Sequence, residues 1–326
     1  MPLVSIVVPS FNHAQYLERR LDSIGQQLFQ DVELILLDDA STDGSREICS
    51  DFARRHSCDL LLREKNSGTP FKQWSAGIQR SNGKYIWIAE SDDIAEADFL
   101  GLMVQLLEQN PGCGLAYCNS IRIDATGQPM GLAVKSFSEA DPAHWAHDHV
   151  VSGREELLQF MLFENTIPNA SAVVFRRSAY DTVGGADESM SLCADWKLWA
   201  SIMAISNVAY SATRLNYFRC HDQTVRASSK AWPILVETLS VMRHITRNLE
   251  LSPSMKQRLD VRIWVLFLDT FRRQLPALRE IRATVKMARE LHLDLSLKVV
   301  WLLLERIFNA GIKRVASLMQ TTTAQR

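Results

Sequence analysis

The chain has 326 residues, is 47% hydrophobic and 22% charged, and carries a formal net charge of −1. That length suffices for one large domain or two smaller ones with a sizeable core, and so even a charge balance argues against a nucleic-acid binder. No apolar run is long enough to span a bilayer, the opening residues enter a strand pattern at Leu3 without a basic export leader, and the 6 cysteines form no CxxC pair or metal framework, so reduced thiols are expected.

In chain order, Val4–Val8 is a β-branched run that Pro9 should stop. Ala14–Gln26 has helical spacing through Leu17, Leu21 and Ile24, and Glu33–Leu37 reads as a second strand. Ser45–Arg55 is helical with Ile48 and Phe52 on one face. Leu60–Leu62 is a strand, Phe71–Gln79 a helix, Tyr85–Ala89 a strand and Phe99–Leu107 a helix. This alternation predicts an α/β domain, a mostly parallel sheet flanked by helices. Leu115–Asn119 and Ser120–Asp124 read as two strands followed by a turn at Ala125–Pro129, and Ser136–Val150 as a polar, histidine-rich loop. Arg154–Phe163 reads as a helix, Ala170–Phe175 as a strand, Trp196–Ile205 as a helix and Asn207–Asn216 as a strand. From Ala231 the pattern is helical: Trp232–Leu249, Met255–Gln274, Pro276–Leu291 and Leu295–Leu318, with Pro233, Pro253 and Pro276 near helix starts. A boundary therefore falls near 230, separating residues 1–229 (halves of about 1–120 and 121–229) from a helical region, 230–326.

Two strands end in paired carboxylates, Asp38-Asp39 and Glu90-Ser91-Asp92-Asp93. Ligands of open α/β sheets sit outside the carboxyl ends of the strands, and hard oxygen ligands there suit Mg²⁺ or Mn²⁺ carried with substrate phosphates. The pattern points to a metal–diphosphate substrate.

An ordered series of motifs over roughly residues 1–225 resembles the inverting glycosyltransferases of family 2, which have the GT-A fold. Val4–Asn12 resembles the opening strand and nucleotide loop, Val32–Ser45 the second acidic strand end, Asn66-Ser67-Gly68 and Gly83-Lys84-Tyr85 the linker before the metal strand. Glu90–Asp93 resembles the DxD-type metal motif, Cys193–Trp196 the ED-type catalytic motif, and Tyr217–His221 a closing segment whose basic residue reaches the diphosphate. The chain departs from the family at Ala194, where Glu is frequent, and near Trp74, where Arg is frequent. It also lacks the QxxRW motif of processive synthases, which implies transfer of single sugars.

The resemblance implies a nucleotide-sugar donor held by Pro9, Phe11, Asn12, Asp38, Asp39, Asn66 and Asp92, with Asp39 reading a base N–H and Phe11 supporting the base. Asp93 would hold Mg²⁺ or Mn²⁺, and Asp92 would support the ribose or the metal's water shell. His221 would bind the metal or the diphosphate, with Arg219 and Arg226 on phosphate oxygens. Asp195 would remove the acceptor hydroxyl proton. Each has a plainer alternative: Asp92, Asp93 and Asp195 as helix caps, Asp39 and Asp43 as turn residues, Arg219 and Arg226 as surface-loop residues. Asp141, His144, His147, Asp148 and His149 suggest zinc, a polar loop or acceptor contacts. The helix near Trp301, Phe308, Lys313 and Arg314 suits either a membrane interface or packing on the core. The family implies a glycan or lipid-linked acceptor in bacterial surface-polysaccharide synthesis, and a cytoplasmic protein, peripheral on the inner membrane face if that helix binds lipid. A catalytically inactive scaffold of the same fold is the rival reading.

Overall fold

The computed structural model describes residues 1–132, 141–221, 229–247, 249–274 and 276–291. β1 (Val4–Ser10), α1 (Ala14–Gly25), β2 (Val32–Asp38), α2 (Ser45–Arg55), β3 (Asp59–Leu62), α3 (Pro70–Arg80) and β4 (Tyr85–Ile88) alternate as the hydrophobic pattern requires. The four strands run parallel in the order β3-β2-β1-β4. β1 and β4 are buried throughout, as parallel strands covered on both faces must be. α3 lies close on this sheet because residue 77 is glycine: a Cβ there would come within 2.4 Å of Val7 Cγ1.

Pro9 does not stop β1, which runs to Ser10. Backbone groups alternate between the two neighbours: Val7 O accepts from Ala89 N, and Ser10 O from Asp39 N. Pro9 shares the parity of Val7, so its missing N–H faces the β4 side, beyond the last pair, Val7–Ile88.

β5 (Ile94–Ala95), α4 (Phe99–Gln109), β6 (Cys113–Ile123), β7 (Pro129–Leu132), α5 (Pro142–Ala146), β8 (His149–Ser152), α6 (Gly153–Glu156), β9 (Val173–Arg176), α7 (Arg177–Val183), α8 (Ala194–Ile205) and β10 (Asn207–Arg219) follow. They complete a 10-stranded sheet of order β3-β2-β1-β4-β9-β6-β10-β5, with β7 on β6 and β8 on β10. β9 runs antiparallel to both β4 and β6, so this half of the sheet is mixed. β6 is one strand where two were expected, since buried Ser120 hydrogen-bonds Asn169 and Asn216 instead of breaking it. The expected loop 136–150 contains α5 and the start of β8, while residues 133–140 lie outside the described set. The helix expected over Arg154–Phe163 opens as α6 and passes into a π-helical turn, Leu157–Met161, where Leu162 N bonds Leu157 O. β5, β7 and α7 were not expected; 2 to 7 residues carry too little periodicity.

α9 (Ala231–Thr246), α10 (Pro253–Arg273) and α11 (Leu278–Glu290) close the described chain. The helix expected over Leu295–Leu318 lies outside the described residues. Alternation along the strands makes two cores. Ile6, Val8 and Trp87 pack beneath α1 and α4. Val7, Ile86 and Ile88 belong to the opposite core, which continues through α3 and α8 to Trp232, Leu239, Ile263 and Phe267 of the C-terminal helices.

Candidate active site

Strand order reverses direction between β1 and β4, and such a switch point opens a crevice beyond the strand ends. The residues that follow β1, β2 and β4 are the candidates of the sequence reading.

The loops after β1 and β2 are laced together. Asn12 takes a left-handed backbone (φ 55), accepts from Thr42 N through Oδ1, and donates its own N–H to Ser41 Oγ. Asp43 accepts from Ser45 N and from Ala14 N, the turn role expected of it. Phe11 stands 41% exposed beside this junction. Asp38 has no accessible surface; its Oδ1 accepts from Ser41 N and lies 3.6 Å from Arg46. Its Oδ1 therefore secures the β2–α2 turn, while Oδ2 is buried without a hydrogen-bond partner among the described residues. Asp39, 2% exposed, accepts from Ser67 N and Ser67 Oγ and lies 3.7 Å from Arg63. Asn66 donates to Asp39 O and accepts from Gly68 N, so it shapes the loop that Asp39 anchors.

The two carboxylates after β4 point differently. Asp93, 2% exposed, accepts from Asn169 Nδ2 and from Arg219 N. Asp92 Oδ2 lies 3.1 Å from His221 Nε2. His13, Asp92 and His221 bring one potential ligand atom each to within 4.8 Å of one another; Asp93, the expected ligand, is not in that group. Burial raises the Asp92 carboxyl, but the His221 hydrogen bond and the His13 ring outweigh it and hold it below its ordinary value. Burial and the neighbouring Asp92 charge push Asp93 up and Glu90 up to about 8.

Arg219 is 1% exposed. It donates to the carbonyls of Asp92, Asp124 and Ala125 and lies 4.7 Å over the Tyr16 ring. The surface-loop alternative does not hold, since the residue is buried; its Nε and Nη1 go to main chain, while Nη2 is buried without a hydrogen-bond partner among the described residues. Arg226 lies outside the described residues.

Asp195 sits in the first turn of α8, whose N-cap is Cys193. Its Oδ2 accepts from Asn165 Nδ2. Four residues later Asn169 holds Asp93. Five consecutive residues span at most about 14 Å between their end Cα atoms, so one short strap contacts both Asp195 and Asp93. A separate recess of about 650 Å³ between α3, α7 and residues 184–189 contains none of these groups.

Several participants escaped the sequence reading: His13, Tyr16, Arg20, Asn165, Asn169 and the indole of Trp74, whose Nε1 donates to Glu90. His13 was readable as an imidazole one residue past the nucleotide loop; the others lie on helices and straps whose spacing mimics ordinary core.

The model of the family described as Glycosyl transferase family 2 matches residues 5–184. Glycosyltransferase GlyG of Streptococcus pneumoniae serotype 4 is 36% identical over 107 residues, 33% of this chain and 36% of that protein. The chain thus spans about a third of GlyG's length, and likewise of EpsJ's from Bacillus subtilis. TuaG of Bacillus subtilis, a glycosyltransferase named for teichuronic acid biosynthesis, is 24% identical over 248 residues, 76% of this chain and 89% of its own. Among solved structures, S. aureus TarS 1-349 in complex with UDP-GlcNAc superposes with a TM-score of 0.67 at 15% identity, covering 89% of this chain and 80% of that one. Mannosyltransferase PcManGT from Pyrobaculum calidifontis, in complex with GDP-Man and Mn2+, gives 0.60 at 18% identity, covering 88% and 75%. At these identities the structural likeness is one of fold.

Proposed function

Since the chain belongs to glycosyl transferase family 2 and has its GT-A fold, we propose that it transfers a single sugar from a nucleotide diphosphate sugar to an acceptor hydroxyl, inverting the anomeric carbon. The observation that carries this reading is the strap Asn165–Asn169, which ties the base candidate Asp195 to the acidic end of β4.

Asp39 and the Asn66–Gly68 loop face the nucleotide, with Phe11 as an exposed ring for the base. Asp92, His221 and His13 are the residues that would hold the divalent cation, with Asp93 reassigned from ligand to support. The fit has two grounds: the three ligand atoms converge, and His221 Nδ1 is buried without a hydrogen-bond partner among the described residues. A mixed imidazole and carboxylate set favours Mn²⁺ over Mg²⁺, which prefers oxygen alone. The cation supplies electrostatic stabilisation of the charge that grows on the leaving diphosphate. Asn165 fixes the Asp195 carboxylate, which takes the acceptor proton as the hydroxyl attacks. Arg219 holds the Asp92 backbone in place.

A relative named for teichuronic acid biosynthesis and another named abequosyltransferase support a glycan acceptor; that it is lipid-linked and met at the inner face of the cytoplasmic membrane belongs to the proposal through the family resemblance alone. Among the described residues, no helix is long and apolar enough to cross a membrane.

The test is calorimetric titration of UDP, GDP, dTDP and CDP with and without Mn²⁺, followed by turnover of Asp195→Asn. Metal-dependent binding of one nucleotide, with turnover lost in Asp195→Asn but donor binding kept, is expected. Binding without turnover in the unaltered chain would establish the inactive-scaffold reading, and near-normal turnover in Asp195→Asn would remove Asp195 as the base.

A further inference from the structure

The histidine-rich run 141–149 divides once its partners are seen. Asp141 caps α5, accepting from His144 N, and Asp148 accepts from Ser211 Oγ and Ala212 N of β10. Neither belongs to the group of potential ligand atoms that converges here. His144 and His149 turn toward each other, with ring centroids 4.2 Å apart, and Glu156 from the end of α6 meets them. One potential ligand atom from each of His144, His149 and Glu156 lies within 4.8 Å of the others.

We propose that His144, His149 and Glu156 form a zinc site, separate from the donor site and independent of how that site is read. Glu156 is 2% exposed; its Oε2 lies 3.1 Å from His144 Nε2, and its Oε1 is buried with no hydrogen-bond partner among the described residues. A buried carboxylate oxygen left without a partner is costly. His149 Nδ1 lies 3.1 Å from the His147 carbonyl. That carbonyl can only accept, so Nδ1 carries the proton and Nε2 presents its lone pair. Nε2 is itself buried and unpartnered among the described residues. A second ring nitrogen fixed by a backbone carbonyl is how metal-binding histidines are oriented.

A protonated His144 paired with Glu156 would account for Oε2 alone. A cation accounts for the orphaned Glu156 Oε1 and His149 Nε2 as well. Two imidazoles and one carboxylate are a borderline donor set, suited to zinc, with a fourth position for water. Phe160 stacks on His144 at 4.6 Å, and Tyr210 lies 5.0 Å from His149, so the group has aromatic walls. The site would join α5, β8 and α6. Just beyond Glu156, the Met161 carbonyl accepts from Trp196 Nε1, the residue after Asp195.

The test is zinc content. Full-length protein is stripped with a chelator, given zinc alone, desalted and assayed by elemental analysis and chelator competition. The comparison includes Asp92→Asn, as donor-site control, and that variant with His149→Ala or Glu156→Gln added, each checked for folding by circular dichroism. Because the donor site offers the same donor set, about two zinc per chain are expected in the unaltered protein and about one in Asp92→Asn; adding His149→Ala or Glu156→Gln to Asp92→Asn should lower the affinity of that remaining zinc at least about tenfold. Zinc-edge absorption should show a nitrogen and oxygen shell at about 2.0–2.1 Å. Folded, stripped Asp92→Asn protein that takes up no zinc would overturn the proposal. So would unchanged affinity when Glu156→Gln is added to it, or a sulfur shell; if the variant with His149→Ala fails to fold, Glu156→Gln and the absorption spectrum still decide.

Discussion

Arg20 has no accessible surface, and none of its three guanidinium nitrogens has a hydrogen-bond partner among the described residues. Its Cζ lies 4.7 Å over the Trp87 ring. Burial draws it down to about 10, against the pull of Asp93, Asp92 and Glu90. It is thus a fixed cation beneath three acids within four residues, where its charge opposes their mutual repulsion. Arg20→Ala should cost about 3 kcal/mol, the scale for removing one member of a buried charge group; a change below about 1 kcal/mol on chemical denaturation would refute that role. The neighbouring acids should separate by readout. Asp92→Ala should abolish Mn²⁺-dependent nucleotide binding with little change in stability. Asp93→Ala should instead lower stability by about 2–3 kcal/mol, because Asn169 and the Arg219 N–H lose their acceptor. Equal effects on binding and stability in both variants would contradict the division of labour.

The start of α8, which carries Asp195, is held from two sides. Glu237 of α9 accepts from the backbone N–H groups of Ser191, Leu192 and Cys193, at 2.8, 2.9 and 2.9 Å. One carboxylate thus satisfies the helix N-cap and the two residues before it, where negative charge is favoured. Glu237→Ala should cost about 2 kcal/mol and lower kcat more than donor affinity; unchanged kcat would show that the cap does not position Asp195. From the other side, Asp187 pairs with Lys197 at 2.6 Å. Burial raises Asp187, but the Lys197 and Ser189 hydrogen bonds outweigh it and bring the carboxyl down to about 2. A depressed acid stabilises the fold fully above its unfolded value near 4 and loses that contribution as pH falls toward 2. With the pair 27% and 28% exposed, about 1 kcal/mol remains after solvent screening. The stability gap between the unaltered chain and Asp187→Asn should therefore close between about pH 5 and pH 2, as urea titrations would show; a gap constant with pH would refute the pair.

At the scale of the molecule, the sheet separates two cores, and among the described residues the C-terminal helices extend one of them. Trp232, Leu239, Ile263 and Phe267 belong to the cluster that contains Trp199 of α8 and the α3 face. Removing residues 230–326 would expose that surface and also delete Glu237. The 1–229 fragment should melt well below the full chain and bind a hydrophobic dye; an unchanged melting temperature would show that the first 229 residues form an independent domain.

The alternation of strand and helix over residues 4–109, β5 apart, was legible in the sequence because its helices run long enough to display their period and strands such as β1 and β4 are apolar throughout. The acidic strand ends were legible too, since a carboxylate pair after an apolar run has few plain explanations. Short elements such as β5 and β7, and the helix within the expected loop at 142–146, were not legible because so few residues show no period. Nor was the choice between Asp92 and Asp93, because adjacent residues differ only in which way the chain turns them. That turn is set by Asn169, Arg219 and His221, 76 to 129 positions away. Likewise, His144, His149 and Glu156 form a group only because α5, β8 and α6 fold back on one another. Sequence by itself determined the elements, whose signals are local and periodic; the tertiary structure alone decided which side chains share a site, because burial and charge act between residues far apart in the chain.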